Sequence, residues 1–311
     1  MNDFRLPLGT GAEAFVDWVV NTFGLVFDII KAIFQAAFDG VDFVLVAPPF
    51  WVIMIVLGIL ALGVRGWKFA VGTLVGLVLI LGVDQWETAM DTLALVVVAS
   101  VLAIAISVPL GIFAARSALA SRLIRPVLDF MQTMPAFVYL IPALLLFGIG
   151  VVPGIVATII FAMAPGVRLT ELGIRSVDKE VVEAGQAFGA SPMRILRQIQ
   201  LPLATPTIMA GVNQVIMLSL SMVVISGMVG APGLGQQIIL SLSRIDVGLG
   251  FEAGLSVVII AIFLDRMTAS LGDTQSTGMF GSIRLVLRSG KKQDAARDEA
   301  KVPAPAEPAR V

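Results

Sequence analysis

The sequence of 311 residues contains no cysteine and no histidine. Without cysteine there is no disulfide, no thiolate nucleophile and no thiolate-ligated metal, and the redox compartment leaves no trace in the chain. Without histidine, the side chain most used as general base and metal ligand is missing. Charge is scarce too: 14% of residues are Asp, Glu, Lys or Arg, and the formal net charge is −1. That balance gives no electrostatic ground for nucleic-acid binding. No G-x-x-x-x-G-K-[ST] phosphate loop occurs, so if ATP is used, another chain must bind it. What is abundant is hydrocarbon. Hydrophobic residues make up 58% of the chain, against roughly 45–50% in soluble domains, and mean hydropathy is +0.96. They fall in long blocks rather than alternating, which predicts an all-α membrane protein and excludes a soluble enzyme.

A helix crossing ~30 Å of hydrocarbon needs about 20 residues. Apolar blocks at 48–64, 67–83, 92–114, 130–150, 151–167, 206–230 and 250–271 predict about seven transmembrane helices. Lys and Arg accumulate on cytoplasmic loops. Arg65 and Lys68, then Arg116, Arg122 and Arg125, then Arg168, Arg175, Lys179, Arg194 and Arg197 mark one side; Asp84, Glu87 and Asp91 mark the other. The expected topology therefore has its N-terminus outside and its C-terminus inside. Trp51, Trp67 and Trp86 fall near span ends, as an interfacial aromatic belt requires. The opening Met1-Asn2-Asp3-Phe4-Arg5 lacks the features of a cleavable signal, so insertion is expected to rest on the spans themselves.

Three regions follow. Within 1–46, residues 12–38 are apolar except for a stripe at Asp17, Asn21, Asp28, Lys31 and Gln35, which recurs at helical spacing. This predicts an amphipathic helix in the outer interface, with an extra tilted span as the alternative. A membrane domain occupies 47–271. The tail, 272–311, carries Pro303, Pro305 and Pro308 and is expected to be cytoplasmic and largely disordered.

One loop, 168–205, is longer than a turn. Asp178 can cap a helix through Glu183 and Phe188, and Gly189 supplies a left-handed end. Ser191-Pro192 starts a second helix, expected to run through Ile195 and Ile199 and stop at Leu201-Pro202. The product is a helix–glycine–helix knob. By form alone it could be a plain hairpin or a DNA-reading helix-turn-helix, though two arginines on its second helix give little attraction for phosphate.

The residues of that knob resemble a known family. Glu183-Ala184-Gly185-Gln186-Ala187-Phe188-Gly189, nine residues, then Ile199-Gln200-Leu201-Pro202 is similar to the E-A-A-x(3)-G-x(9)-I-x-L-P loop of ABC importer permeases. Gly185 departs from it, where the pattern prefers Ala. Met131-Gln132-Thr133-Met134-Pro135-Ala136-Phe137-Val138-Tyr139-Leu140-Ile141-Pro142, the stretch 201–214, and Gly233-Leu234-Gly235-Gln236 resemble the glycine betaine/proline betaine permeases, over about residues 85–270. The resemblance implies a type I importer core working with a second permease copy and an external substrate-binding protein. It also implies two cytoplasmic ATPase subunits that hold the ATP and Mg, with no cofactor or metal on this chain. Glu183, Ala184, Gly185, Phe188, Gly189, Ala190, Ser191, Pro192, Ile199, Leu201 and Pro202 would then form the ATPase-coupling element.

Candidate pathway residues come from polarity and proline inside the spans. Gln132, Thr133, Pro135, Phe137 and Tyr139 lie in the fourth block, where Pro135 and Pro142 suit either a hinge beside a pathway or a tolerated kink. Asn213, Gln214, Ser219 and Ser221 in the sixth face either a cavity or a neighbouring helix. Gly72 and Gly76 make a small-xxx-small face suited to close packing. Asp129 and the pair Asp265-Arg266 are expected to be solvated or paired rather than a proton path. Quaternary ammonium groups are held by aromatic faces, yet the chain has four Trp and one Tyr in no obvious cluster. Selection is therefore expected in the external binding protein. The alternatives are an ion-coupled secondary transporter, which would want intramembrane charges and repeats, a permease for another small polar solute, and a structural scaffold.

Overall fold

The computed structural model describes residues 8–272. The tail expected over 272–311 lies outside the described residues, apart from Gly272, which ends the last helix. Twelve α-helices are described: α1 (Leu8–Val46), α2 (Phe50–Arg65), α3 (Trp67–Gly82), α4 (Trp86–Arg116), α5 (Ala118–Thr133), α6 (Leu140–Phe147), α7 (Val151–Arg175), α8 (Lys179–Ala187), α9 (Pro192–Ile195), α10 (Leu201–Ser226), α11 (Leu234–Arg244) and α12 (Val247–Gly272).

Among the described residues, four helices are long and apolar enough to cross a membrane: α4, α7, the continuous run Pro192–Val229 and α12. Two bent pairs bring the total to six if each counts as one span. Six falls one short of the expected seven because α3 is too short to count, and the expected span at 130–150 takes a different form. That block is not one helix: Ala118–Thr133 and Ala136–Phe147 meet at 109°. Pro135 has no N–H to continue the ladder and pushes Met134 into an extended conformation (φ −77°, ψ 137°). Proline here makes a corner, neither a hinge within a span nor a mild kink. α3 is apolar but has only 16 residues, about 24 Å of helix.

α1 extends the expected 12–38 helix at both ends and kinks at Phe23 (φ −113°, ψ 16°). At Pro48-Pro49 the chain turns, so that α1 meets α2 at 99°. α1 also packs on the bundle: Phe38 is buried in the main core, and Phe27 meets Phe147 edge-on at 5.6 Å.

α4, α7 and α10 form the centre. Between Ala89 and Ala103 most of α4 is buried. Hydrocarbon lipid offers little drive for helices to associate, so close contact depends on small residues. A Cβ on Gly111 would stand 2.7 Å from the Val167 carbonyl, one on Gly166 2.5 Å from Ser107 Oγ, and one on Gly211 2.9 Å from Leu169 Cβ. These three glycines set how near the central helices come.

Candidate functional site

The knob begins where α7 ends. Asp178 Oδ1 accepts the Glu180 backbone N–H at 2.9 Å, capping α8. No residue of α8 is buried, so the helix stands clear of the bundle. The chain reverses through Phe188 and Gly189, with Phe188 N–H donating to Ala184 O at 3.1 Å and Ala190 N–H to Gly185 O at 3.1 Å. Gly189 sits at φ +73°, a region that disfavours any residue with a Cβ. Ser191 Oγ accepts from Arg194 N at 3.4 Å, and Pro192 takes the first position of α9, as the sequence predicts.

The second helix does not stop at Leu201-Pro202. It passes through a π-turn at Leu196–Gln200 directly into α10. Pro202 lies in the first turn of α10, where its missing N–H matters least. The second helix of the knob is thus continuous with a membrane helix. Ile195 and Leu196 are buried, and Leu196 packs with Ile174 and Ala204 at the ends of α7 and α10. At the departure, Gly185, a Cβ would come 2.8 Å from Ile199 Cδ1, the flexible end of the pattern's own isoleucine, so the two helices of the knob meet closely there. Glu183, Ala184, Gly189, Ser191 and Pro192 are exposed; Gly185, Ala190, Ile199 and Leu201 are half-buried; Pro202 is exposed on α10. At the tip, Phe188 is 92% exposed.

Beneath the knob lies a charged hub that the sequence reading missed. Glu171, 3% exposed on α7, accepts from Ser121 Oγ at 2.6 Å and Arg125 Nη2 at 3.0 Å, both on α5, and pairs with Arg175 Nε at 3.1 Å. Arg175 also donates to the Ala114 carbonyl of α4 at 2.9 Å. Asp129 is paired with Arg168 beside it. The hub lines a cavity of about 330 Å³. The sequence signal was present: one acid in an apolar block, with an arginine four residues on.

The pathway candidates are not brought together. Gln132, Thr133, Pro135 and Phe137 are exposed at the α5–α6 corner. Tyr139 is buried; its hydroxyl donates to the Met131 carbonyl, the group whose helical partner would have been the N–H that Pro135 lacks. Asn213 joins helices: its Nδ2 donates to Asp265 Oδ1 at 3.2 Å and its carbonyl oxygen accepts from Thr268 of α12. Asp265 also lies 3.8 Å from Arg266. Gln214 is exposed, Ser221 donates to the Met217 carbonyl at 3.2 Å, and Ser219 is buried with its hydroxyl unpaired.

A membrane bundle from which a helix–glycine–helix knob projects, continuous with a membrane helix, has the form the sequence leads us to expect of a transport permease. The sequence comparisons agree. Residues 107–273, more than half of the chain, match the family described as "Binding-protein-dependent transport system inner membrane component", and the chain belongs to that family. It is 48% identical over 274 residues to the glycine betaine/proline betaine transport system permease protein ProW of Escherichia coli, covering 88% of this chain and 77% of that protein. It is 46% identical over 267 residues to the glycine betaine transport system permease protein OpuAB of Bacillus subtilis, covering 86% and 95%. In fold it is similar to a structure described as inward-facing conformations of the MetNI methionine ABC transporter, with TM-score 0.54 and 21% identity over 58% of this chain and 91% of that one. The protein is an inner-membrane permease subunit of type I ABC importer fold.

Proposed function

We propose that this chain carries a glycine betaine- or proline betaine-type quaternary amine through the inner membrane, and that a separate ATPase engages it at the α8–Gly189–α9 knob. The observation that carries the proposal is Phe188. An aromatic ring 92% exposed at the tip of a polar knob is the kind of anchor that a partner's pocket covers. Glu183, exposed on the same helix, meets a basic group of that partner.

In this reading the basic loops put the knob in the cytoplasm, with the N-terminus outside. Two copies of the chain meet two ATPases, which hold ATP and Mg, and an external protein delivers the solute. ATPase closure draws the two knobs together. Because Leu196–Gln200 joins knob to α10 without a break, that movement turns membrane helices from inward- to outward-facing. The energy enters as a difference in partner affinity between the two states. The substrate class rests on the relatives' names, and the scarcity of aromatic faces favours selection in the external protein.

The test is co-expression of a tagged chain with its ATPase and binding protein. The wild type is expected to retain the ATPase on purification and to take up labelled glycine betaine only with the binding protein present. Phe188→Ala is expected to insert normally yet lose both. Unchanged ATPase retention and uptake in that variant, at matched protein level, overturns the coupling assignment.

A further inference from the structure

α3 and α12 touch at one point and part at the next. A Cβ on Gly76 would come 2.7 Å from Ile259 Cγ2 of α12, so this glycine is filled by its neighbour. Gly72, one turn earlier, has nothing within 4 Å. The gap between the helices is a cavity of about 220 Å³, lined by apolar side chains including Leu57, Leu77, Met90, Ile259 and Phe263. Phe69 stacks on Phe263 at 6.3 Å and 12° along it. A hydrocarbon-walled space does not hold water, and in a bilayer the material at hand to fill it is an acyl chain.

Two polar groups make the cavity more than a place where lipid tails pass. Lys68 lines it from the first turn of α3, beside Trp67, which is 66% exposed; among the described residues Lys68 has no ion pair. Thr73 lines it as well, is 7% exposed and leaves its hydroxyl buried without a partner. Thr92 and Thr158, also buried, satisfy themselves on the preceding turn, on the Thr88 and Gly154 carbonyls at 2.7 Å each, whereas Thr73 shares its unpaired state with Thr170 of α7. Lys68 and Thr73 are about 7.5 Å apart along the helix axis. A cation at the end of the helix and an apolar slot beyond it match the order of phosphate and acyl chain.

We propose that the α3–α12 groove binds one membrane phospholipid, its phosphate on Lys68 and an acyl chain beside Gly72. The lipid completes a helix pair that the protein's own side chains leave open.

The test uses the full-length chain. In native mass spectrometry from mild detergent, the wild type is expected to retain a phospholipid adduct. Gly72→Leu fills the slot from a position with free space and is expected to abolish the adduct while the purified protein keeps its elution profile. Lys68→Gln, which leaves the helix packing untouched, is expected to lower occupancy about fivefold, and it remains decisive if the leucine variant fails to fold. In nanodiscs, a phospholipid with a photoreactive acyl terminus is expected to label the α3 and α12 walls of the wild type and not of Gly72→Leu. Equal retention in all three proteins, or labelling spread evenly over the apolar exterior, overturns the proposal. So does a Gly72→Cys variant, in a chain otherwise free of cysteine, that forms a disulfide dimer in the membrane, because the groove then faces a second copy.

Discussion

The Ser121 hydroxyl donates to the buried Glu171 carboxylate at 2.6 Å, tying α5 to α7 across 50 residues of chain. With Arg125 and Arg175 on the same oxygen, the carboxylate holds three donors at the base of the knob. Glu171→Ala leaves those donors without their acceptor and is expected to cost about 2–3 kcal/mol. Ser121→Ala removes one hydrogen bond and is expected to cost about 1 kcal/mol. Apparent melting temperature in detergent checks both: the order wild type, Ser121→Ala, Glu171→Ala is required, and equal values for all three would sink the idea of a structural hub.

At the α5–α6 corner, Tyr139 supplies the donor that Pro135 withholds from the Met131 carbonyl. Tyr139→Phe keeps the ring against Phe161 but leaves the carbonyl unpaired, at about 1–2 kcal/mol. Amide hydrogen exchange is expected to rise around residues 131–136 and nowhere else. Unaltered exchange there would show that another group satisfies the carbonyl.

Gly189 has open space around it but a φ of +73°, so its variants test backbone rather than packing. Asn tolerates this region and Val does not. Gly189→Asn is expected to keep most ATP-dependent uptake, whereas Gly189→Val loses it through a distortion of about 1–2 kcal/mol at the turn. Uptake at matched expression decides, and equal loss in both variants would point to side-chain bulk instead.

Gly227 and Gly235 bring two backbones together: a Cβ on Gly235 would lie 2.3 Å from the Val224 carbonyl, and one on Gly227 2.5 Å from the Gly235 carbonyl carbon. No flexible side chain can yield there. Gly235→Ala is expected to destabilise by about 3 kcal/mol or more, read as lower yield and melting temperature. A wild-type melting curve would mean the segment between α10 and α11 can shift freely.

Asn213 separates helix attachment from passage. Because its amide engages Asp265 and Thr268 of α12, Asn213→Ala is expected to lower melting temperature while leaving the KM for uptake unchanged. A raised KM with normal stability would return Asn213 to the pathway.

The caps of the knob could be read from the chain because they are local: Asp178, Gly189 and Ser191-Pro192 act on backbone groups within three residues of themselves. The bend at Pro135 could be placed for the same reason, but its 109° depth could not, since the angle depends on what α5 and α6 pack against. Leu201-Pro202 misled in the opposite direction. Proline reads as a stop, yet in the first turn of α10 it breaks no bond, and the π-turn before it absorbs the register. The resemblance at Gly233-Leu234-Gly235-Gln236 was visible as a string; its cause, a backbone pressed against Val224, was not.

Composition, block length and local caps by themselves determined a helical membrane subunit with one projecting knob, because hydrophobicity and hydrogen-bond satisfaction act along the chain. Only the tertiary structure decided that Glu171 gathers Ser121, Arg125 and Arg175, that Asn213 holds α12, and that Gly72 opens a groove while Gly76 closes one. Those outcomes depend on distances between residues far apart in sequence, and in a bilayer such distances are set by how closely small side chains let whole helices approach.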